Sequence, residues 1–269
     1  MSTPLLSVII PVYNERLTIR RIVERVCAVA IPKEVIIVDD GSTDDTADLV
    51  DRWSRYLNIV YIRLWKRAGL WRDAACVINR GLRAASGALI IGTHPEVIPG
   101  RKSLQALWDA RAERTYLACK IYYLSPADQE QIDTVEWRSR GNLAMRDLPN
   151  FYQEESVEVT GNSDYSHEAT DRHAVWESWV FGGLTRATWQ WQGGFTEFPT
   201  WGSGDVDWLA RRRILGIGNY TAREPETICV HQNHDVPGRA TDVPTPRDME
   251  ACMAALSPYH TPEEARKPW

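Results

Sequence analysis

Carboxylates and imidazoles gather at a few points of this chain, and each gathering follows an apolar run or opens a helical pattern. Pro11-Val12-Tyr13-Asn14-Glu15 follows Leu6 to Ile10, and Asp39-Asp40-Gly41-Ser42-Thr43-Asp44 follows Glu34 to Val38. His94-Pro95-Glu96 comes shortly after Ala88 to Ile91, Asp205 and Asp207 stand ahead of Arg211, and His231 and His234 follow Ile228 to Val230. A tyrosine can stack on a nucleobase, a carboxylate can accept hydrogen bonds from ribose hydroxyls, and carboxylates with imidazoles can ligate a divalent cation. An aspartate in the first turn of a helix is held ionised by the helix dipole. The same residues also have plainer uses. Asp39 and Asp40 could cap a helix and Asp205 could be an N-cap, although capping does not call for a doublet ahead of Gly41.

The elements that must position these residues follow from hydrophobic period. Val- and Ile-rich runs that stop at a turn signal read as buried parallel strands, so the polar turns behind them lie at the carboxyl edge of a sheet, where open α/β sheets bind ligands. Between the first two strands, Leu17, Ile22, Val23, Val26, Cys27 and Ala30 recur at helical spacing until Ile31-Pro32. Ser42, with Asp45 three residues on, reads as the cap of a second helix that continues through Ala47, Leu49, Val50 and Trp53. A third strand is expected in Ile59 to Leu64, a helix in Arg72 to Ala85, and a fourth strand in Ala88 to Ile91. Alternating strands and helices predict a doubly wound, mostly parallel α/β sheet over roughly the first 120 residues.

The second half is less regular. Ser125 to Glu177 is polar, acidic and aromatic and reads as loops. Order returns with Trp179-Val180-Phe181-Gly182-Gly183, a helix from near Asp205 and a late strand at Ile228-Cys229-Val230. Thr245-Pro246-Arg247-Asp248 caps an expected terminal helix over Met249 to Leu256. The organisation expected is one domain over 1–269: a doubly wound half (1–120), a less regular half (121–240) and a helical tail (241–269).

Composition excludes several classes of partner. With 269 residues and 43% hydrophobic content the chain can build a large core, and a net charge of −5 gives no field for duplex nucleic acid or an anionic membrane. No apolar segment approaches the roughly 20 residues that span a bilayer, and Met1-Ser2-Thr3-Pro4 lacks the start of a signal peptide, so a cytoplasmic protein is expected. Cys27, Cys76, Cys119, Cys229 and Cys252 are scattered and free of CxxC spacing, which reads as reduced packing residues.

The first two turns together resemble the opening of the family 2 glycosyltransferases of the GT-A fold, where a PVYNE-like and a VDDGSTD-like turn hold the nucleotide of a sugar donor. The resemblance implies that Pro11, Tyr13 and Glu15 face the nucleoside and that one of Asp39 and Asp40 hydrogen-bonds the base. It also implies an inverting transfer from a nucleoside diphosphate sugar to an acceptor hydroxyl. His94-Pro95-Glu96 stands where the family carries Asp-x-Asp. Glu96 then takes the place of the direct ligand to Mn²⁺ or Mg²⁺, and His94 that of the residue near the ribose or the metal's water.

Arg72 and Asn79-Arg80-Gly81 match a family segment near the donor, where an arginine can neutralise diphosphate charge. Gly193-Gly194-Phe195-Thr196-Glu197 and Trp201-Gly202-Ser203-Gly204-Asp205-Val206-Asp207, with Arg211 beyond, resemble the "GGF-E … WGxEDxD…R" acceptor region. The resemblance makes Asp205 the catalytic base; Gly194, Phe195, Trp201, Asp207 and Arg211 belong to the acceptor region. Asp205 and Asp207 cannot share a helical face, so Asp207 is the one suited to pair with Arg211 at i+4. His231, or else His234, resembles the late histidine that completes the metal site or touches the diphosphate. Absence of a spanning segment favours a soluble glycan, small molecule or protein as acceptor. Two other readings stay open: a catalytically degenerate nucleotide-sugar-binding module, and a nucleotidyltransferase. The latter lacks its Gly-rich phosphate loop here.

Overall fold

The computed structural model describes residues 4–55, 57–65, 74–123, 129, 181–197, 204–232 and 261–266. The first Val/Ile run forms strand β1 (Leu6–Val12), the next β2 (Lys33–Asp39), and helix α1 (Arg16–Ala28) joins them. Helix α2 (Thr46–Ser54), strand β3 (Ile59–Arg63), helix α3 (Ala74–Ala84) and strand β4 (Leu89–Thr93) follow. The order runs outward from β1 through β2 to β3, then returns through α3 to β4 on the other side of β1, with all three pairings parallel. This reversal between β1 and β4 makes a switch point, and the crevice outside the strand ends there receives ligands in open α/β sheets.

Alternation explains why the early strands are apolar throughout. Leu6, Val8, Ile10 and Val12 join one core with α1 and Val50 of α2, whereas Ile9, Ile36 and Val38 join a second core with α3. Both faces are covered, so no polar face is needed. Close packing sets the glycine at 81: a Cβ there would stand 2.4 Å from Cγ2 of Ile9, so the backbone of α3 lies directly on the Ile9 side chain of β1.

The sheet continues with two antiparallel pairings that the sequence did not reveal. Strand β8 (Phe181–Thr185) pairs antiparallel with β4 on one side and with β6 (Thr115–Cys119) on the other, and β9 (Gly218–Ala222) runs parallel to β6 at the edge. The full order is β3-β2-β1-β4-β8-β6-β9. A second sheet of β5 (Val97–Ile98), β10 (Cys229–His231) and β7 (Ile121–Tyr123) lies in the order β5-β10-β7. Helix α4 (Ser103–Asp109) joins the first core; α5 (Arg186–Gln192), α6 (Gly204–Ile214) and the short α7 (Pro262–Ala265) bring residues to the second. Strand β8 has room for no side chain at 183, because a Cβ would come 1.9 Å from the Ile90 carbonyl oxygen. Gly183→Ala is therefore expected to destabilise the protein by about 3 kcal/mol or more, measured as a lowered urea midpoint.

Three expectations change or fall outside the described residues. The second helix starts at Thr46, not Ser42; its N-cap residue is Asp45, without a side-chain cap bond, because the Ser42 hydroxyl accepts the Asn14 N–H instead. The helix expected over Met249 to Leu256 and almost all of Ser125 to Glu177 lie outside the described residues. Among the described residues no helix is long and apolar enough to cross a membrane.

Candidate active site at the carboxyl edge

The first two turns are stitched into one surface by Asn14. Its backbone sits at φ 57°, a conformation asparagine tolerates. From there its N–H donates to Ser42 Oγ at 2.9 Å, and its Oδ1 accepts the Thr43 N–H at 2.7 Å. The Asp40 N–H reaches the Val12 carbonyl at 2.8 Å and carries the β1–β2 ladder into the turn. Pro11, Tyr13 and Glu15 are partly exposed on this surface, and the Thr18 hydroxyl donates to Glu15 Oε2 at 2.5 Å.

The two aspartates of the second turn are not equivalent. Asp39 is fully buried; its Oδ1 accepts the Ser42 N–H at 2.7 Å and its Oδ2 accepts the Tyr61 hydroxyl at 2.5 Å. Burial, then the bond to Asp39, raises the Tyr61 phenol above its ordinary range, so it remains a donor. Arg63 donates from Nη2 to the Ser42 carbonyl at 2.8 Å, with its Nε 3.9 Å from Asp39. Asp39 thus sets the shape of the turn, and Asp40 lies next to it, 6% exposed.

At the end of β4, His94, Glu96 and His231 come together through a junction that no local pattern announces. Strand β10 pairs antiparallel with β5, which sets His231 opposite Val97 and beside Glu96. The Gln232 N–H and side-chain amide both donate to the Glu96 carbonyl, at 2.9 and 3.1 Å, and Arg21 of α1 holds the Gln232 Oε1 at 2.5 Å. Glu96 Oε1 lies 3.1 Å from His94 Nδ1 and 3.3 Å from His231 Nε2. His231 Nδ1 donates to the Gln232 carbonyl at 2.9 Å, so Nε2 donates to the Glu96 carboxylate when it carries the second ring proton and offers a lone pair when it does not. Burial raises the Glu96 carboxyl, but hydrogen bonds and charge from His231 and His94 outweigh it and hold the carboxyl well below the usual range. The side chain is accordingly a carboxylate at neutral pH.

The Gly-Gly-Phe loop is fixed from two sides. Gly193 ends α5 at φ 79°, and Gly194, at φ 49°, has its missing Cβ 2.7 Å from Asn79 Oδ1. Asn79 of α3 exchanges both hydrogen bonds with the Phe195 backbone, at 2.9 and 2.8 Å. The Phe195 ring packs between Trp189 and Trp208, at 5.2 and 5.7 Å between centroids. Arg211 is fully buried and reads carbonyls of three segments: Ala265 at 2.6 Å, Gly194 at 2.9 Å and Gln192 at 2.7 Å. Asp207 accepts the Thr196 hydroxyl at 2.5 Å and stands 3.9 Å from Arg211, so the i+4 pair exists at the outer limit of an ion pair. Asp205 holds the second position of α6. Arg72, Trp201 and His234 lie outside the described residues.

The structure therefore brings together Pro11, Tyr13, Glu15, Asp39 and Asp40 as one group, and His94, Glu96 and His231 as another. Gly194, Phe195, Asp207 and Arg211 form the third. Sequence reasoning missed Asn14, Tyr61, Asn79 and Gln232 as the residues that hold these groups. Asn14 had a readable signal, an asparagine between a strand end and a helix start, and Asn79 stood in the Asn79-Arg80-Gly81 segment that matched the family. Among the described residues no group of three His, Cys, Asp or Glu side chains forms a metal cluster by itself.

A doubly wound sheet with two polar turns on its carboxyl edge and an antiparallel extension through β8 is a fold of the GT-A type. The chain belongs to glycosyl transferase family 2, whose match covers residues 7–171. It is 28% identical over 234 residues to validoxylamine A glucosyltransferase of Streptomyces hygroscopicus subsp. jinggangensis, covering 82% of this chain and 54% of the relative. The chain thus spans about half the length of that relative. In fold it is similar to Staphylococcus aureus TarS 1-349 in complex with UDP-GlcNAc, at a TM-score of 0.62 and 17% identity, over 93% of this chain and 65% of the other. It is also similar to the mannosyltransferase PcManGT of Pyrobaculum calidifontis in complex with GDP-Man and Mn²⁺, at a TM-score of 0.54 and 22% identity, over 89% and 59%.

Proposed function

We propose that the protein transfers a sugar, with inversion, from a nucleoside diphosphate sugar to the hydroxyl of a glycan, small-molecule or protein acceptor. The observation that carries this reading is the joining of the two nucleotide turns through Asn14 beside the Glu96–His231 pair, all at one edge of a family 2 domain. Tyr13 stacks on the base and Glu15 accepts ribose hydroxyls. Asp40 reads the base, since both oxygens of Asp39 already hold the turn. Asp205, in the first turn of α6, takes the acceptor proton while the hydroxyl attacks opposite the departing diphosphate. Phe195, Asp207 and Arg211 fix the loop and helix that carry the acceptor side, and the resemblance gives Trp201 to the acceptor region and Arg72 to the diphosphate.

The carboxylate of Glu96 and the imidazole of His231 fit a divalent cation and are the residues that would hold Mn²⁺ or Mg²⁺. When bound, the cation neutralises charge on the leaving diphosphate. His94 shares Glu96 Oε1 and supports the carboxylate from the ribose side. Glu96→Gln is expected to weaken the Mn²⁺-dependent part of donor affinity by roughly tenfold or more, read by calorimetry with and without EDTA. Inversion is tested by proton NMR of the sugar released from the donor: the first-formed anomer should be opposite to the donor's, and release with retained configuration would overturn that part of the reading.

A further inference from the structure

Gln232 stands one residue beyond β10 and is fully buried. A buried amide is costly unless its groups are hydrogen-bonded, and here the whole residue is directed to the Glu96–His231 junction. Its backbone N–H and its Nε2 both donate to the Glu96 carbonyl, at 2.9 and 3.1 Å, and so take both lone pairs of that oxygen. Its own carbonyl accepts His231 Nδ1 at 2.9 Å, and its Oε1 accepts Arg21 Nη1 at 2.5 Å.

The strands by themselves do not fix this junction. Strand β5 has two residues and β10 three, and their register holds only Val230 opposite Ile98 and His231 opposite Val97. Glu96 lies just outside that register, in the turn that the Val97 N–H closes on the His94 carbonyl at 3.2 Å. The Gln232 N–H carries the pairing one residue further and places the Glu96 backbone. Arg21 of α1 decides which way the amide faces: a guanidinium only donates, so the amide oxygen turns to α1 and the nitrogen to Glu96. The Gln232 carbonyl in turn keeps the proton of a neutral His231 on Nδ1, which leaves Nε2, 3.3 Å from Glu96 Oε1, as the ring's ligating nitrogen.

We propose that Gln232 is the positioning residue of the cation site: its amide sets where Glu96 stands, its carbonyl sets the tautomer and direction of His231, and Arg21 locks the amide. The proposal rests on the reading of Glu96 and His231 as cation ligands. It goes beyond that reading by making the cation's affinity depend on two residues that need not touch the ion. Partners of this kind, one step behind the ligands, typically govern about 10- to 100-fold in metal affinity.

The test is Mn²⁺ affinity of the whole protein, read from the electron paramagnetic resonance signal of the free ion with and without UDP or GDP, beside urea unfolding of the same variants without cation. Gln232→Leu should raise the Mn²⁺ Kd roughly tenfold or more, and Arg21→Met roughly threefold or more, with Arg21→Lys closer to wild type. Glu34→Ala is the control for lost stability. Its Oε1 accepts Ser7 Oγ at 2.6 Å and the Ser86 N–H at 2.7 Å near the amino end of β2, at the opposite edge of the sheet. That variant should lower the urea midpoint and leave the Mn²⁺ Kd within about twofold. A Gln232→Leu protein with wild-type Mn²⁺ affinity, or a Glu34→Ala protein weakened as much as Gln232→Leu, would overturn the proposal and leave the cation reading in place. If Gln232→Leu does not fold, Arg21→Met decides in the same way. Wild type that takes up no Mn²⁺, alone or with either nucleotide, refutes the cation reading and the proposal with it.

Discussion

Replacing Asp205 with Asn should lower sugar transfer by about 10²-fold or more while leaving donor affinity within about twofold. The substitution keeps size and shape and removes the basic oxygen. The role proposed for Asp205 rests on its place at the second position of α6, where a helix dipole favours an ionised carboxylate. Asp207, two residues on, is excluded from it. That side chain is 1% exposed, accepts the Thr196 hydroxyl and faces Arg211. The two aspartates therefore answer differently: Asp207→Asn should shift the unfolding midpoint, Asp205→Asn the turnover number. Steady-state kinetics and urea unfolding on both variants separate them. Equal turnover in wild type and Asp205→Asn would remove Asp205 from the mechanism.

The largest loss of stability is expected at Arg211. Its guanidinium is fully buried and donates to carbonyls of Gln192, Gly194 and Ala265, with Gly193 at 3.4 Å and the Asp207 carboxylate at 3.9 Å. It joins the end of α5, the Gly-Gly-Phe loop, α6 and the segment carrying α7 at one point. Arg211→Met keeps much of the volume and leaves these carbonyls without a donor, so the variant should lose about 3–5 kcal/mol. Arg211→Lys retains the charge without the planar fork and should fall between the two. Urea denaturation checks the order. A midpoint for Arg211→Met equal to that of wild type would show that the carbonyls find other partners.

Much of the carboxyl edge was legible because its signals are local. Continuous Val/Ile runs mark strands buried on both faces, and β1, β2 and β4 are those strands, with the two acidic turns behind them where expected. The i+4 relation of Asp207 and Arg211 was readable for the same reason, since helical period fixes it. What escaped depends on contacts distant in sequence. Gly218–Ala222 has no apolar alternation, and it forms β9 because the backbone of β6 offers it a parallel edge. Ser42 reads as a cap from its neighbours alone, yet Asn14, 28 residues earlier, claims its hydroxyl. The meeting of Glu96 with His231 is made by a short antiparallel pairing, β5 with β10, and by Gln232, none of which leaves a pattern in the sequence. Arg211 shows the same limit: its carboxylate partner is local and was foreseen, but its closest partners are carbonyls of three other segments.

The proposed function sets a cation held by Glu96 and His231 beside a nucleotide held by the first two turns, and so predicts cation-dependent use of a nucleotide-sugar donor. The purified protein is incubated with UDP-, GDP- and dTDP-sugars in the presence of Mn²⁺, Mg²⁺ or EDTA, and release of the nucleoside diphosphate is followed over time. Release from one donor that depends on the cation, and that is abolished in Glu96→Gln, is the result predicted. Release that is indifferent to EDTA and to the Glu96 substitution, or none from any donor that the protein binds even with candidate acceptors added, would contradict the account.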